Sequence, residues 1–592
     1  MRKSLLFLLF SISLLHVYAQ HIHYKLSMPK PQNHYFEVEM ELRDFKEKTL
    51  SVKMPVWAPG SYLVREFAKN VNLVKASDEN GTPIKVTKKN KNTWDIERGK
   101  AAKVTVKYEV YAFELSVRTS FLDLTHGFVS GTSVFMYVDG HINRKGTLEV
   151  VPYKDFEAVT TSLPAVSFMS GFQYAFDSYD QLADCPIEIG NQEVFDFTAA
   201  GVHHTVAMYG EGNYEVDRLK EDMSRIVETA TAVFGENPNK EYVFIIHNVV
   251  DGQGGLEHTN STTLSVNRWS YGSDGYIGFL SLVAHEYFHL WNVKRLRPIE
   301  LGPFNYDEEN YTSLLWVMEG FTSYYDELLL RRAGYISESE YLGKLQSSLN
   351  YVEGSPGARV QPVAHASFDA WIKAYRPNEN SGNTTMTYYS RGAVLAAVID
   401  AMIIAKTNGS KCLDHFMTAL YTKFYKKQNR GFTEDEFKKE LELFLQEDMT
   451  DFFNRYIGGT EILPYAMTFG AIGVSVEDQT TNKPSFGATL KQEGGKVIIR
   501  SVRSGSAAED AGLSVNDEII GCNGYRVNQA ALEATMNSLG TGETAELLIS
   551  RDEVLYSITV NMTNFVRPQF KLKLDESSPK KALWNYWLRA QP

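Results

Sequence analysis

The chain has 592 residues, 43% of them hydrophobic and 22% charged. A single core does not fill that length, so about three domains are expected. The net charge of −12 argues against a nucleic-acid partner, and three scattered cysteines, Cys185, Cys412 and Cys522, argue against a disulfide framework.

The first residues, "MRKSLLFLLFSISLLHVYAQ", carry Arg2 and Lys3, then an apolar stretch, then "VYA". This pattern predicts a signal peptide over residues 1–19, cleaved after Ala19, and hence export to the periplasm or beyond the cell. No membrane span is expected after its removal. The apolar run "GAVLAAVIDAMIIA" (392–405) is short and contains Asp400, as a buried core helix would.

From residue 20 to about 204 the pattern alternates polar and apolar, as in "HYFEVEMEL" and "AAKVTVKYEVYAF", with turn signals such as "DENGTP" between. An N-terminal all-β domain follows. From 205 to 465 the period becomes helical around a buried strand, "EYVFIIHNV". Strands resume over 466–564. There, Ser506, Ala507, Ala511, Gly512, Leu513, Asp517, Ile519, Asn523 and Gly524 resemble the PDZ pattern, with Asn516 where that family usually has Gly. The resemblance implies a groove that takes an extended peptide by strand addition, near "SFGATL" (485–490). A groove filled by the protein itself is the alternative. The tail, 565–592, ends in "KKALWNYWLRAQP", which reads as a short docking helix.

The chemistry concentrates in "AHEYFHLWN" (284–292). Histidines at i and i+4 project from one helix face as two ligands of a tetrahedral zinc require. Glu286 between them is placed to take a proton from a water. Two histidines leave the site incomplete. Glu308 has a familiar spacing but sits in the polar turn "FNYDEENYTS", whereas Glu319 lies in the apolar helix "SLLWVMEGFTSYYDELLLRRAG". A carboxylate inside such a run needs a partner, so Glu319 is the expected third ligand. Gly320 is expected to let this helix pack closely on the histidine helix. Asp326 is read as an orienter of a ligand histidine or as a surface ion pair. Glu257, in "GQGGLEHTNSTTLSV" (252–266), is read as an ammonium receptor leading into a strand of edge character, with a solvated turn residue as the alternative. Tyr388 and Tyr389 precede a buried helix, where a phenol can serve an oxyanion or simply pack. Lys294, Arg295 and Arg297 are expected to cap the histidine helix or to form surface ion pairs, with a substrate carboxylate as the alternative partner.

Together, "PVWAPGSYLVREF" (55–67), "GGLEH", "HEYFHLWNVKRLRP", "LWVMEGFTSYY" and "YYSRGAVLAAVID" are similar to the glycyl aminopeptidase family of zinc peptidases, over essentially the whole mature chain in order. The resemblance implies a gluzincin with a thermolysin-like α+β, mostly helical catalytic domain. It implies one Zn2+ on His285, His289 and Glu319, with Glu286 as general base. Tyr389 is implied as oxyanion donor, and Gly255 and Glu257 as the substrate-binding segment, by analogy with leukotriene-hydrolase-type aminopeptidases. His258 and Met318 depart from the usual Asn at their positions. The implied activity removes small N-terminal residues, Gly or Ala, from peptides. An endopeptidase, or a PDZ-centred binding protein with a relic metal site, are the rival readings.

Overall fold

The computed structural model describes residues 22–166 and 170–589. The expected signal peptide lies outside them. Contacts divide the chain into two compact units, Met1–Asn310 and Tyr311–Pro592.

The first unit begins with three β-sheets. In Tyr35–Arg43, Phe36, Val38, Met40 and Leu42 are buried on one face while Glu37 and Arg43 are exposed. This is the two-residue period that a half-buried strand requires. The strand lies between Ile22–Ser27 and Lys103–Tyr111 in a seven-stranded sheet. Two four-stranded sheets contribute to the same apolar cluster, one containing Leu50–Lys53, the other containing His126–Val129 and Ile187–Gly190.

A five-stranded sheet follows, ordered Glu193–Ala199, Val202–Tyr209, Glu241–Val249, Ser261–Asn267, Gly255–Glu257. Its three middle strands run parallel. Here the structure corrects one expectation. The β-branched segment Ser261–Asn267 is an interior strand, and the edge is the short antiparallel strand Gly255–Glu257. Thr262, Thr263, Leu264 and Val266 are all buried, so that strand has apolar cover on both faces, which is how parallel strands stay in a sheet. The helix Ser273–Phe288 then buries Leu280, Val283, Ala284, Tyr287 and Phe288.

The second unit is built on two long helices, Leu315–Arg332 and Tyr388–Lys406. They touch through glycines: a Cβ on Gly320 would lie 2.4 Å from the Cα of Gly392, and one on Gly392 would lie 2.3 Å from the Trp316 carbonyl oxygen. The close approach made by Gly320 is to the Tyr388–Lys406 helix. Both neighbours are backbone, so Gly320→Ala is expected to cost 1–3 kcal/mol, roughly the range for overpacking, seen as a lowered denaturation midpoint.

Tyr388–Lys406 falls in the one stretch among the described residues that is long and apolar enough to cross a membrane, and most of it is buried within the protein. Its Asp400 is fully buried and accepts hydrogen bonds from Tyr324 Oη at 2.5 Å and the Leu413 amide at 2.7 Å. Burial, with the Asp414 charge nearby, pushes its carboxyl up to about 6. The folded state therefore holds a proton that the unfolded chain releases near pH 4, so stability falls as pH rises from about 4 through 6. Asp400→Asn is expected to remove roughly 2 kcal/mol of that dependence between pH 4.5 and 7, measured by urea unfolding at those two values. Trp587, on the C-terminal helix Lys581–Trp587, donates to Tyr324 Oη at 2.7 Å, so the expected docking helix is present and seated in this core.

The PDZ-like sheet runs Ala488–Glu493, Lys496–Val502, Glu518–Cys522, Thr544–Arg551, Val554–Asn561. Asn516, where Gly is usual, adopts φ +72°, a left-handed conformation that Asn tolerates better than most residues. The Asn383 side chain donates to the Val502 carbonyl at 2.8 Å and accepts from the Ser504 amide at 2.9 Å, which ties this sheet to the helical part of the unit.

Candidate active site

In the first unit the helix Ser273–Phe288 ends at Phe288, and His289 follows as its C-cap, still in helical conformation (φ −59°, ψ −20°). The four-residue spacing therefore keeps its meaning: the Nε2 atoms of His285 and His289 lie 3.1 Å apart with their rings nearly perpendicular. His289 Nδ1 lies 2.8 Å from the Asn292 carbonyl oxygen. A carbonyl only accepts, so Nδ1 carries the proton and Nε2 keeps its lone pair for a cation. Two ligand nitrogens on a tetrahedral zinc, each at about 2.0–2.1 Å, stand about 3.3 Å apart. The pair thus fits the ion that the spacing implies.

Two carboxylates converge on this pair. Ligand atoms of Glu257, Glu286 and His289 all lie within 4.8 Å of one another. Glu257 and Glu286 are 4% and 5% exposed, so both charges are largely withdrawn from water. Gly255 is read from sequence as part of the substrate segment, and its place explains the residue type. A Cβ there would fall 2.4 Å from the Glu286 carboxylate. Its carbonyl accepts from Arg118 Nη2 at 3.2 Å. Gly60 plays the corresponding part for Glu257: it has φ +83°, and a Cβ on it would lie 2.6 Å from Glu257 Oε1. The "APGSY" turn of the β domain is therefore a wall of the site. Glu257 also lines a cavity of about 350 Å³, with Trp57, Tyr62, Asp184 and Arg297 among its walls.

Asp184 is a site residue that sequence reasoning missed, since nothing in "LADCPIE" links it to His258 seventy-four positions away. It accepts from the Thr259 amide at 2.8 Å, from Lys294 Nζ at 2.8 Å and from His258 Nδ1 at 3.1 Å. Burial alone would raise its carboxyl, but the Lys294 ammonium and His258 outweigh it and hold Asp184 well below the usual carboxylate range. The His258 departure thus has a partner, and the residues after Glu257 are pinned by a partly buried anion. Lys294 forms an ion pair, but with Asp184 inside the protein rather than on the surface. Arg295 donates to the Leu290 carbonyl at 2.7 Å, capping the histidine helix, and to Asn239 Oδ1 at 2.6 Å. Glu308 is exposed and accepts from Asn305 at 2.8 Å, a solvated turn residue.

In the second unit Glu319 is buried among Trp316, Val317, Met318 and Phe321 on Leu315–Arg332. Tyr388 and Tyr389 open the neighbouring helix with stacked rings, 4.8 Å between centroids, and the Thr387 hydroxyl accepts from the Tyr389 amide. Asp326 lies two turns beyond Glu319 on the same helix and is partly exposed.

Sequence profiles match in the same order as these elements: the Peptidase M61 N-terminal domain over residues 23–191, the M61 glycyl aminopeptidase over 278–395, and a PDZ domain over 470–562. A solved aminopeptidase N family protein from Idiomarina loihiensis is 30% identical, with a TM-score of 0.87, and the match covers 96% of this chain and all of that one. The chain belongs to the M61 glycyl aminopeptidase family. An M1 zinc metallopeptidase from Deinococcus radiodurans is 13% identical (TM-score 0.49, 75% of this chain, 95% of that one). Yeast LTA4 hydrolase with bestatin is 14% identical (TM-score 0.48, 77% and 69%). No curated protein matches. As an M61 family member the protein is a metallopeptidase of the aminopeptidase type, with an all-β N-terminal domain, a mostly helical catalytic domain and a C-terminal PDZ domain.

Proposed function

We propose that this M61 peptidase removes single small residues, Gly or Ala, from the free N-termini of peptides, after export from the cytoplasm. The observation that carries the reading is the meeting of Glu257 and Glu286 at His289, two buried carboxylates with separable tasks beside one metal ligand. His285, His289 and Glu319 are the proposed ligands of one zinc ion. When bound, zinc polarises the first peptide carbonyl and acidifies an attacking water. Glu286 takes that water's proton and returns it to the leaving amine. Glu257 receives the substrate ammonium, and its position on an edge strand lets the peptide backbone add alongside it. Tyr389 donates its phenolic hydrogen to the carbonyl oxygen as it gains charge.

The preference for Gly and Ala rests on the family resemblance and is tested by a cleavage profile over peptides differing only in the first residue. Rates for Gly- and Ala-peptides are expected to exceed those for Leu- and Phe-peptides at least tenfold, and a flat profile would remove the preference. Export rests on "MRKSLLFLLFSISLLHVYAQ" and is tested by N-terminal sequencing of the mature protein, with Gln20 expected as its first residue. The PDZ strand Ala488–Glu493 is an edge of its sheet, so it offers the open edge that strand addition of a peptide C-terminus needs.

A further inference from the structure

A second cluster in the first unit has no part in the chemistry above. His126 on the strand His126–Val129, Glu188 on Ile187–Gly190 and His247 on Glu241–Val249 converge with side chains 0% exposed. His126 Nδ1 lies 2.7 Å from Glu188 Oε1, and His247 Nε2 lies 2.8 Å from Glu188 Oε2. The two rings stand at 80° with centroids 5.7 Å apart, so they approach the carboxylate from different directions. The three ligand atoms lie within 4.8 Å of one another. Tyr209 stacks on His126 at 3.4 Å and Phe128 meets His247 edge-on at 4.7 Å, which closes the cluster to solvent.

Removing a carboxylate from water costs several kcal/mol unless charge is supplied nearby. Each imidazole offers Glu188 one ring nitrogen within hydrogen-bond distance. The surroundings are also incompletely satisfied: His126 Nε2, His247 Nδ1 and Gln192 Oε1 are buried with no hydrogen-bond partner among the described residues. The Gln192 amide nitrogen donates to the Glu188 backbone carbonyl at 3.4 Å.

We propose that His126, Glu188 and His247 form a second metal site, for a divalent transition ion of the zinc class, distinct from the peptidase site. Two nitrogens and a carboxylate suit such ions rather than calcium or magnesium, which take oxygen ligands. Each imidazole binds through the nitrogen now facing Glu188, and its proton moves to the outer nitrogen, with no change in oxidation state. The ion is structural, because both rings are packed and all three side chains are fully buried. It clasps two strands of the N-terminal β domain to the central strand of the peptidase sheet, where Phe128 already packs on Val243 and Ile245.

The test is metal content of the full chain after Zn2+ loading and a mild chelator wash, read by mass spectrometry. Two equivalents are expected in the wild type, one in His285→Ala/His289→Ala, and none when Glu188→Gln and His247→Gln are added. Retention of no metal in His285→Ala/His289→Ala overturns the proposal, as does an equivalent that survives the added changes. If the combined variant does not fold, Co2+ loaded into His285→Ala/His289→Ala gives the reading. Visible d–d absorption with imidazole ligation supports the site, and a silent spectrum overturns it. One equivalent in the wild type that persists undiminished in His285→Ala/His289→Ala would leave this site standing and defeat the zinc ligands proposed for catalysis.

Discussion

Glu286→Gln is expected to lower kcat by about 10²–10⁴-fold on an unblocked peptide, the loss that follows removal of a positioned general base. The amide has the shape of the carboxylate but cannot take the water's proton. Because Glu286 contributes no ligand atom to the proposed zinc set, metal content is expected to stay unchanged. KM is expected to move little, since the proton transfer belongs to the transition state. Stopped assays with Ala-peptides, metal analysis and thermal unfolding on the same preparation separate these effects. A variant that loses its metal together with its activity would show that Glu286 holds the ion and would reassign the base. Gly255→Ala supplies a second handle, because its methyl would enter the space of the Glu286 carboxylate at 2.4 Å. It is expected to reproduce part of the loss with the base chemically intact.

The parts of this site that are legible in the sequence are those carried by local periodicity. Histidines four apart on a buried helix announce their shared face, and the polar company of Glu308 announces a turn. Glu319 is proposed as the third ligand on a sequence argument, because a lone carboxylate in "LLWVMEGF" is costly to bury without a cation or a donor beside it. What the sequence hides is set by the third dimension. Gly60 lies about two hundred positions from Glu257, and only the folded chain shows why that turn must be a glycine with φ +83°. Asp184 reads as one acid among many until Lys294, His258 and the Thr259 amide are seen to meet on it. Strand order is hidden for the same reason. The β-branched residues of Ser261–Asn267 mark a strand but not its place in the sheet, where Gly255–Glu257 takes the edge instead. His126, Glu188 and His247 are isolated polar residues in three separate strands, with no common spacing to connect them.

Glu257→Gln is expected to change which end of a peptide the enzyme tolerates. A charged hydrogen bond to a substrate ammonium contributes about 1.5–3 kcal/mol, so kcat/KM on free-amine peptides should fall about 10–150-fold. N-acetylated peptides never make that bond, and their slow cleavage should stay level or rise, because a buried carboxylate facing an uncharged amide is an unfavourable contact that the variant removes. The ratio of the two rates is therefore the measurement, and it is insensitive to partial loss of folded protein. An equal fall on both substrates would mean that Glu257 serves the metal or the fold rather than the amine, and would favour an endopeptidase. Gly60→Ala tests the same contact from the other side. Its Cβ would displace the Glu257 carboxylate without altering its charge, so the ratio should shift in the same direction by a smaller amount. A Gly60→Ala enzyme with unchanged preference would show that the carboxylate's position, held at this turn of the β domain, is not what selects the free N-terminus.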